Sequence, residues 1–390
     1  MKACKVGENM SPEAMVNSSK TIRYQLEFTG TAREYFRIWI VNTFLTILTL
    51  GIYAAWAKVR TRQYFYTHTR LAGQPFEYLA DPIAILRGNL IVGGGFILYI
   101  VLSRFNTTAG MIIIGIFLLL FPFLIYKTLR FYAHNSSFRN IKFRFLGKLG
   151  QSYSIYLLFP LMIVATEAVL FYSIRRFTFL SIINFTCLLI FWLYISYWFL
   201  LHKQYFFKNF AFGMTESSFD GMAHFFYKTC AFAILRFIIP LAAIFASRVI
   251  IFRLFLPEDD WHYIFILTSS IFYSWIFIPS VYIFGTIIRQ YLYASIANYC
   301  WQNTRIGFIS FESTINSRKF IGIQIVNILA IIISFGLLIP WAKVRRTRYI
   351  LENLTIITHG SLDEFIGATT SEHNAIGDVA TDFFNIDISL

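Results

Sequence analysis

Apolar residues in this chain fall into long runs, separated by short basic and aromatic stretches. Eight runs can be drawn, near residues 36–57, 88–103, 111–126, 153–174, 179–201, 229–252, 263–285 and 320–341. Several approach the roughly 20 residues that carry an α-helix across a bilayer core. None shows the ten-residue alternation of a membrane β-barrel strand. The pattern predicts an all-α integral membrane protein. Between the runs lie short alternating pieces, "RYQLEFTG", "PFEYLAD", "IKFRFLG" and "GFISFES". Period-two alternation reads as strand, so these pieces predict short cytoplasmic strands that gather into a small cap; irregular loops are the competing reading.

Composition agrees with a membrane location. Hydrophobic residues make up 57% of the chain and charged residues 14%, against roughly 25% charged in a soluble domain. The net charge is +14. Lys and Arg cluster beside the apolar runs, where the positive-inside rule places them, so nucleic acid is not an expected partner. Anionic lipid headgroups on the cytoplasmic face are. Residues 1–21 lack an apolar signal-peptide core and read as a disordered lead. Residues 22–359 form one membrane domain, and residues 360–390 an acidic tail.

The distribution of cations also bears on topology. Eight full crossings would scatter the basic loops over both faces. About six crossings, with the first and last runs entering and leaving on one face, collect nearly all of them on the cytoplasmic side together with both termini. Those two runs resemble each other: "IVNTFLTILTLGIYAAWAKVR" and "IVNILAIIISFGLLIPWAKVR" place Asn42, Gly51 and Trp56 as the second places Asn327, Gly336 and Trp341. The sequence predicts a pair of re-entrant or interfacial helical segments, with ordinary crossings as the alternative. Trp56, Lys58, Arg60, Arg62, Trp341, Lys343, Arg345 and Arg346 are the expected headgroup-facing residues.

A shorter pattern recurs in each cytoplasmic loop. An aromatic residue is followed four residues on by Asn or His, and later by Phe: Tyr64/His68/Phe76, Phe131/Asn135/Phe143, Tyr205/Asn209/Phe219 and Tyr299/Asn303/Phe311, with Tyr349/Asn353 opening a fifth. The Asn is placed to end a helix through a left-handed residue. The chain thus reads as an array of internal repeats.

These residues carry a resemblance. "FTGTAREYFRIWIVNTFLTILTLGIYAAWAKVRTRQYFYTHTRLAGQPFEY" and the closing "GDVATDFFNIDISL" resemble the YjgN family of multi-pass bacterial inner-membrane proteins, defined by a domain of unknown function. The resemblance spans residues 22–390 and implies a plasma-membrane location. It brings no catalytic residue.

Ionisable residues within apolar runs are costly and mark candidate sites. Three qualify: Glu167, Arg236 and Arg248. A Glu167–Arg248 pair could line a polar path, or serve structure alone, and arginines can also snorkel to headgroups. Cys4, Cys187, Cys230 and Cys300 form no CxxC, so neither metal nor redox pair is indicated. No nucleophile–base constellation appears, and the sequence predicts neither an enzyme nor a cofactor. Two functions stay open: a transport or channel-like protein for a small molecule or lipid, and a non-catalytic scaffold that binds lipid or a partner through its cytoplasmic face.

Overall fold

Short strands alternate with helical pairs along the whole chain. A computed structural model describes residues 21–162, 164–165, 168, 182–255, 272–363 and 366. The strands are β1 (Thr21–Phe28), β2 (Thr69–Leu71), β3 (Gln74–Tyr78), β4 (Ser136–Phe138), β5 (Ile141–Phe145), β6 (Phe210–Phe212), β7 (Thr215–Phe219), β8 (Thr304–Ile306), β9 (Ile309–Ser313) and β10 (Leu354–His359). The helices are α1 (Ala32–Leu48), α2 (Ala54–Thr67), α3 (Pro82–Phe105), α4 (Thr107–His134), α5 (Leu149–Tyr153), α6 (Ile182–Lys208), α7 (Ala223–Phe255), α8 (Ile278–Gln302), α9 (Ser317–Ile333) and α10 (Ile339–Glu352).

The expectation of an all-α fold with a small cap is overturned. The ten strands close into one antiparallel barrel. Four tight hairpins supply β2–β3, β4–β5, β6–β7 and β8–β9. The ends of the sheet meet where β1 pairs β10, from Thr21 opposite His359 to Gln25 opposite Thr355. Sequence missed the closure because half of each hairpin is a three-residue strand such as "TRL" or "SSF", too short for alternation to be read. Closure also removes every exposed edge, the usual liability of short strands.

The hairpin turns have two residues. Ala72 and Gly73, and Arg139 and Asn140, all adopt positive φ, the pattern of a type I′ turn. Gly213 and Gly307 hold positive φ at the first turn position of the other two hairpins.

Among the described residues, three helical stretches are long and apolar enough to cross a membrane: Pro82–Phe105, Thr107–His134 and Ala223–Ile250. Among the described residues the expected count of about six is not reached. The first and last apolar runs are helical hairpins: α1 turns into α2 at Leu50 and Gly51, and α9 into α10 at Phe335 and Gly336, all with positive φ. The tip residues Leu50 and Phe335 are almost fully exposed. The run 153–174 opens with a π-helical turn at Ser154–Leu158, and the run 263–285 includes another at Phe272–Phe277; parts of both runs lie outside the described residues. The lead and most of the acidic tail lie outside them too.

Consecutive helices pack together, α5 reaching α6 through the π-helical turn Ser154–Leu158, and α10 packs back on α1, so the helices form a closed ring on one side of the barrel. In α3 the successive residues Leu90, Ile91, Val92 and Phe96, Ile97, Leu98 are all exposed. Neighbouring positions lie about 100° apart around a helix, so α3 exposes apolar surface over much of its circumference, while Gly95 faces Phe117 of α4.

Candidate functional site

Five equivalent joints fix the barrel to the helix ring. At each joint the helix-ending residue turns its side chain back onto the carbonyl four residues earlier. Asn135 donates Nδ2–H to Phe131 O, Asn209 to Tyr205 O and Asn303 to Tyr299 O, each at 2.8 Å, and Asn353 to Tyr349 O at 2.7 Å. In the first joint His68 Nδ1 stands 2.8 Å from Tyr64 O. The carbonyl of the same residue then accepts a backbone N–H from just past the neighbouring strand: Thr29 to His68, Leu79 to Asn135, Leu146 to Asn209, Asp220 to Asn303 and Thr314 to Asn353, at 2.8–3.0 Å. These caps are not left-handed, as the sequence suggested. Asn303, for example, has φ −100° and ψ 11°. The side-chain amide satisfies the terminal carbonyl directly, so no left-handed residue is required.

In four joints the paired tyrosine anchors the stretch between the preceding strand and its helix. The Tyr64 hydroxyl accepts from Thr31 N–H at 2.8 Å, that of Tyr299 from Met222 N–H at 2.7 Å and that of Tyr349 from Asn316 N–H at 3.1 Å. Tyr205 donates to Lys148 O at 3.3 Å. Burial pushes the Tyr64 phenol up to about 12, which keeps this hydroxyl neutral and able to donate.

Fixed in this way, the strands enclose a cavity of about 330 Å³. Its walls carry Leu26, Phe76, Phe138, Phe143, Phe212, Phe311 and Ile356 from the strands. Phe206 and Phe207 of α6 and Trp301 of α8 line its helix side. Ser217 and Thr304 are the polar residues of the lining, and both hydroxyls are bound to carbonyls: Ser217 to Phe207 O and Phe210 O, Thr304 to Cys300 O. The lumen therefore offers a guest hydrocarbon and aromatic surface. Leu362 and Ile366, just beyond β10, complete the lining, and Leu362 is buried in the same core cluster. Among the described residues no group of three or more His, Cys, Asp or Glu could hold a metal ion.

The residues singled out in the sequence do not form one site. Glu167 lies outside the described residues. Arg236 lies over the Tyr291 ring at 4.4 Å and near Phe232 at 5.7 Å. Arg248 is buried, its guanidinium 4.4 Å from the Phe272 ring. Both stand on α7 twelve residues apart, about 18 Å along the axis.

The basic stretches divide in two. Lys58, Arg60 and Lys343 are exposed, although Lys343 Nζ also donates to the Tyr35 hydroxyl at 3.2 Å. Arg62, half-buried, stacks on Tyr132 at 3.7 Å and donates to the Tyr78 hydroxyl at 3.2 Å, joining α2 to α4 and β3. Arg345 covers the Trp341 ring at 5.1 Å, and Arg346 lies over Tyr293 at 5.3 Å. Trp56 stacks on Tyr53 and packs against the Ala55–Val59–Tyr78 cluster. Asn42 and Asn327 are buried inside the two hairpins and donate to Ala57 O at 3.5 Å and Ala342 O at 3.2 Å.

The lumen itself was only partly legible. Phe76, Phe143 and Phe311, the last members of the recurring aromatic–Asn–Phe pattern, all line it, whereas Phe219 packs outside it with Leu200 and Phe226. Nothing in the sequence pointed to Leu362 or Ile366.

No solved structure matches this chain. The inner membrane protein YjgN of Salmonella typhimurium is 32% identical to it over 168 residues, which cover 42% of this chain and 42% of that relative. YjgN of Escherichia coli K12 is 30% identical over 168 residues, 41% of each chain. The matched stretch thus spans about two fifths of the length of these relatives. The family model for bacterial proteins of unknown function, DUF898, matches residues 23–383; the chain belongs to that family.

Proposed function

We propose that this inner-membrane protein handles lipid, drawing a single apolar chain from the bilayer into the barrel lumen, as one step of transport or transfer. The size and chemistry of the lumen carry the reading. Its lining is hydrocarbon and aromatic, and a guest that takes such surface out of water gains about 25 cal/mol per Å² covered. The volume falls at the low end of the roughly 300–1,000 Å³ typical of ligand pockets. The helix side of the lumen is lined by Phe206, Phe207 and Trp301, which offer an entering chain apolar surface.

In this reading the barrel and both ends of the membrane domain lie on the cytoplasmic side, because the exposed cations Lys58, Arg60 and Lys343 belong there by the positive-inside rule. The same cations attract anionic headgroups, at about 1 kcal/mol each.

The test is lipid retention. Protein purified in detergent is washed, extracted and its bound lipid identified by mass spectrometry, alongside Leu354→Trp, which fills the lumen. Wild type retains a chain-bearing lipid and the filled variant loses it. Equal retention by both proteins refutes the reading.

A further inference from the structure

The segment after β10 occupies the lumen mouth in a particular way. Gly360, with φ +119°, turns the chain back over the rim formed by the hairpin turns. Leu362 and Ile366 then enter the apolar lining, while the carboxylate of Asp363, between them, stays exposed and pairs with Arg139 Nη1. Two apolar groups in the lumen with a carboxylate on the rim reproduce the outline of an amphiphile.

Arg139 is unusual for its position. It is the first residue of the β4–β5 turn, with φ +49°, where the other hairpins place Ala72, Gly213 and Gly307. A long side chain in the left-handed region is strained, at about 1–3 kcal/mol. The Arg139 guanidinium lies 5.7 Å from the Phe138 ring, and Phe138 faces the lumen. Asp363 takes Nη1, one arm of the end-on pair Nη1 and Nη2, while Nε is buried. A carboxylate or phosphate can take both donors of such a fork.

We propose that Leu362, Asp363 and Ile366 act as a built-in pseudo-ligand, and that the ligand they stand in for is an anionic amphiphile whose apolar chain fills the lumen while its acidic head binds Arg139. This deepens the lipid-handling reading and rests on it. The tail and the amphiphile exclude each other, so tail release and loading are coupled.

The experiment uses the full chain, stripped of lipid in detergent, titrated with a dansyl-labelled medium-chain fatty acid and with its methyl ester, with dansyl emission excited through the tryptophans, of which Trp301 lines the lumen. Wild type is expected to prefer the acid by about tenfold, the worth of one charge-assisted hydrogen bond. Arg139→Gln abolishes the preference and keeps ester binding. Asp363→Asn, a change at an exposed side chain, strengthens acid binding more than ester binding. Leu362→Ser/Ile366→Ser strengthens both.

Preference for the acid retained in Arg139→Gln, or unaltered affinities in the double variant, overturns the pseudo-ligand while leaving the lumen reading intact. Failure of both probes to bind any variant overturns both. Dodecyl phosphate is expected to displace the acid. Displacement by phosphatidic acid dissolved in the same detergent as well identifies a bilayer lipid as the source, and displacement by dodecyl phosphate alone a free amphiphile.

Discussion

Replacing Asn327 by Leu should make this protein more stable, although it deletes a buried hydrogen bond. Asn327 is 3% exposed within α9. Its Nδ2–H bond to Ala342 O is 3.2 Å long, and such a bond is worth about 1 kcal/mol net. Its Oδ1, however, is buried with no partner, and an unsatisfied buried acceptor costs about 1–3 kcal/mol. Leu has nearly the same branched shape and no polar atom. Ala342 O keeps its place in the α10 ladder, so the substitution orphans nothing. The balance favours Leu by about 1 kcal/mol, which in a large chain raises the melting midpoint by about 2 °C. Intrinsic tryptophan fluorescence during a thermal ramp in detergent reads the shift. Asn42→Leu at the matching place in α1 should behave alike: its bond to Ala57 O is 3.5 Å and its Oδ1 is also unpartnered. A fall of more than about 2 °C in both variants would refute the reasoning, because the two amide oxygens would then be holding something worth more than their burial costs.

Three further outcomes are expected. Asn303→Ala removes the side-chain bond to Tyr299 O and should cost about 1 kcal/mol; an unchanged melting midpoint would show that the joints do not depend on the amide. Arg62→Lys loses the planar stack on Tyr132 and the bond to Tyr78, and should also cost about 1 kcal/mol, read in the same assay. Glu34 should confer acid sensitivity. Thr31, with smaller help from Tyr64 and His68 and against some desolvation, holds its carboxyl below the ordinary value of 4.5. A depressed acid contributes stability above the unfolded-state value and loses it as pH falls through the folded-state value. Wild type should therefore lose its advantage over Glu34→Gln below pH 4.5; parallel melting curves across that range would count against the contact.

How much of this could be read from residues follows the length of each signal. The long apolar runs and the twinned Asn–Gly–Trp hairpins are strong patterns, and Gly51 and Gly336 do stand at positive-φ turns. The aromatic–Asn pairs, with His68 in the first copy, marked the five helix ends that lead into strands, but the mechanism was misjudged: sequence shows an Asn, and only geometry shows its amide on the carbonyl four residues back. The barrel was less legible because its information is divided among ten short strands, most of them three to six residues long. No single strand specifies a partner; closure emerges when the helix ring places all of them at one level. The lumen followed in part from Phe76, Phe143 and Phe311. Leu362 and Ile366 could not be found that way, because two aliphatic residues in an acidic tail carry no periodicity.

The seam between β1 and β10 has a consequence for how the protein is made. Thr21 and His359 pair across 338 positions of chain, and closing a loop of that length costs about 5 kcal/mol in chain entropy. Four hairpins can form as they are synthesised, but the barrel cannot shut until residue 354 has emerged. Until then β1 and β9 each present an unpaired edge, the kind of surface that joins other strands indiscriminately. A ribosome stalled anywhere before β10 would leave an open sheet, so the six residues Leu354–His359 decide whether the nascent chain is sealed or exposed to quality control.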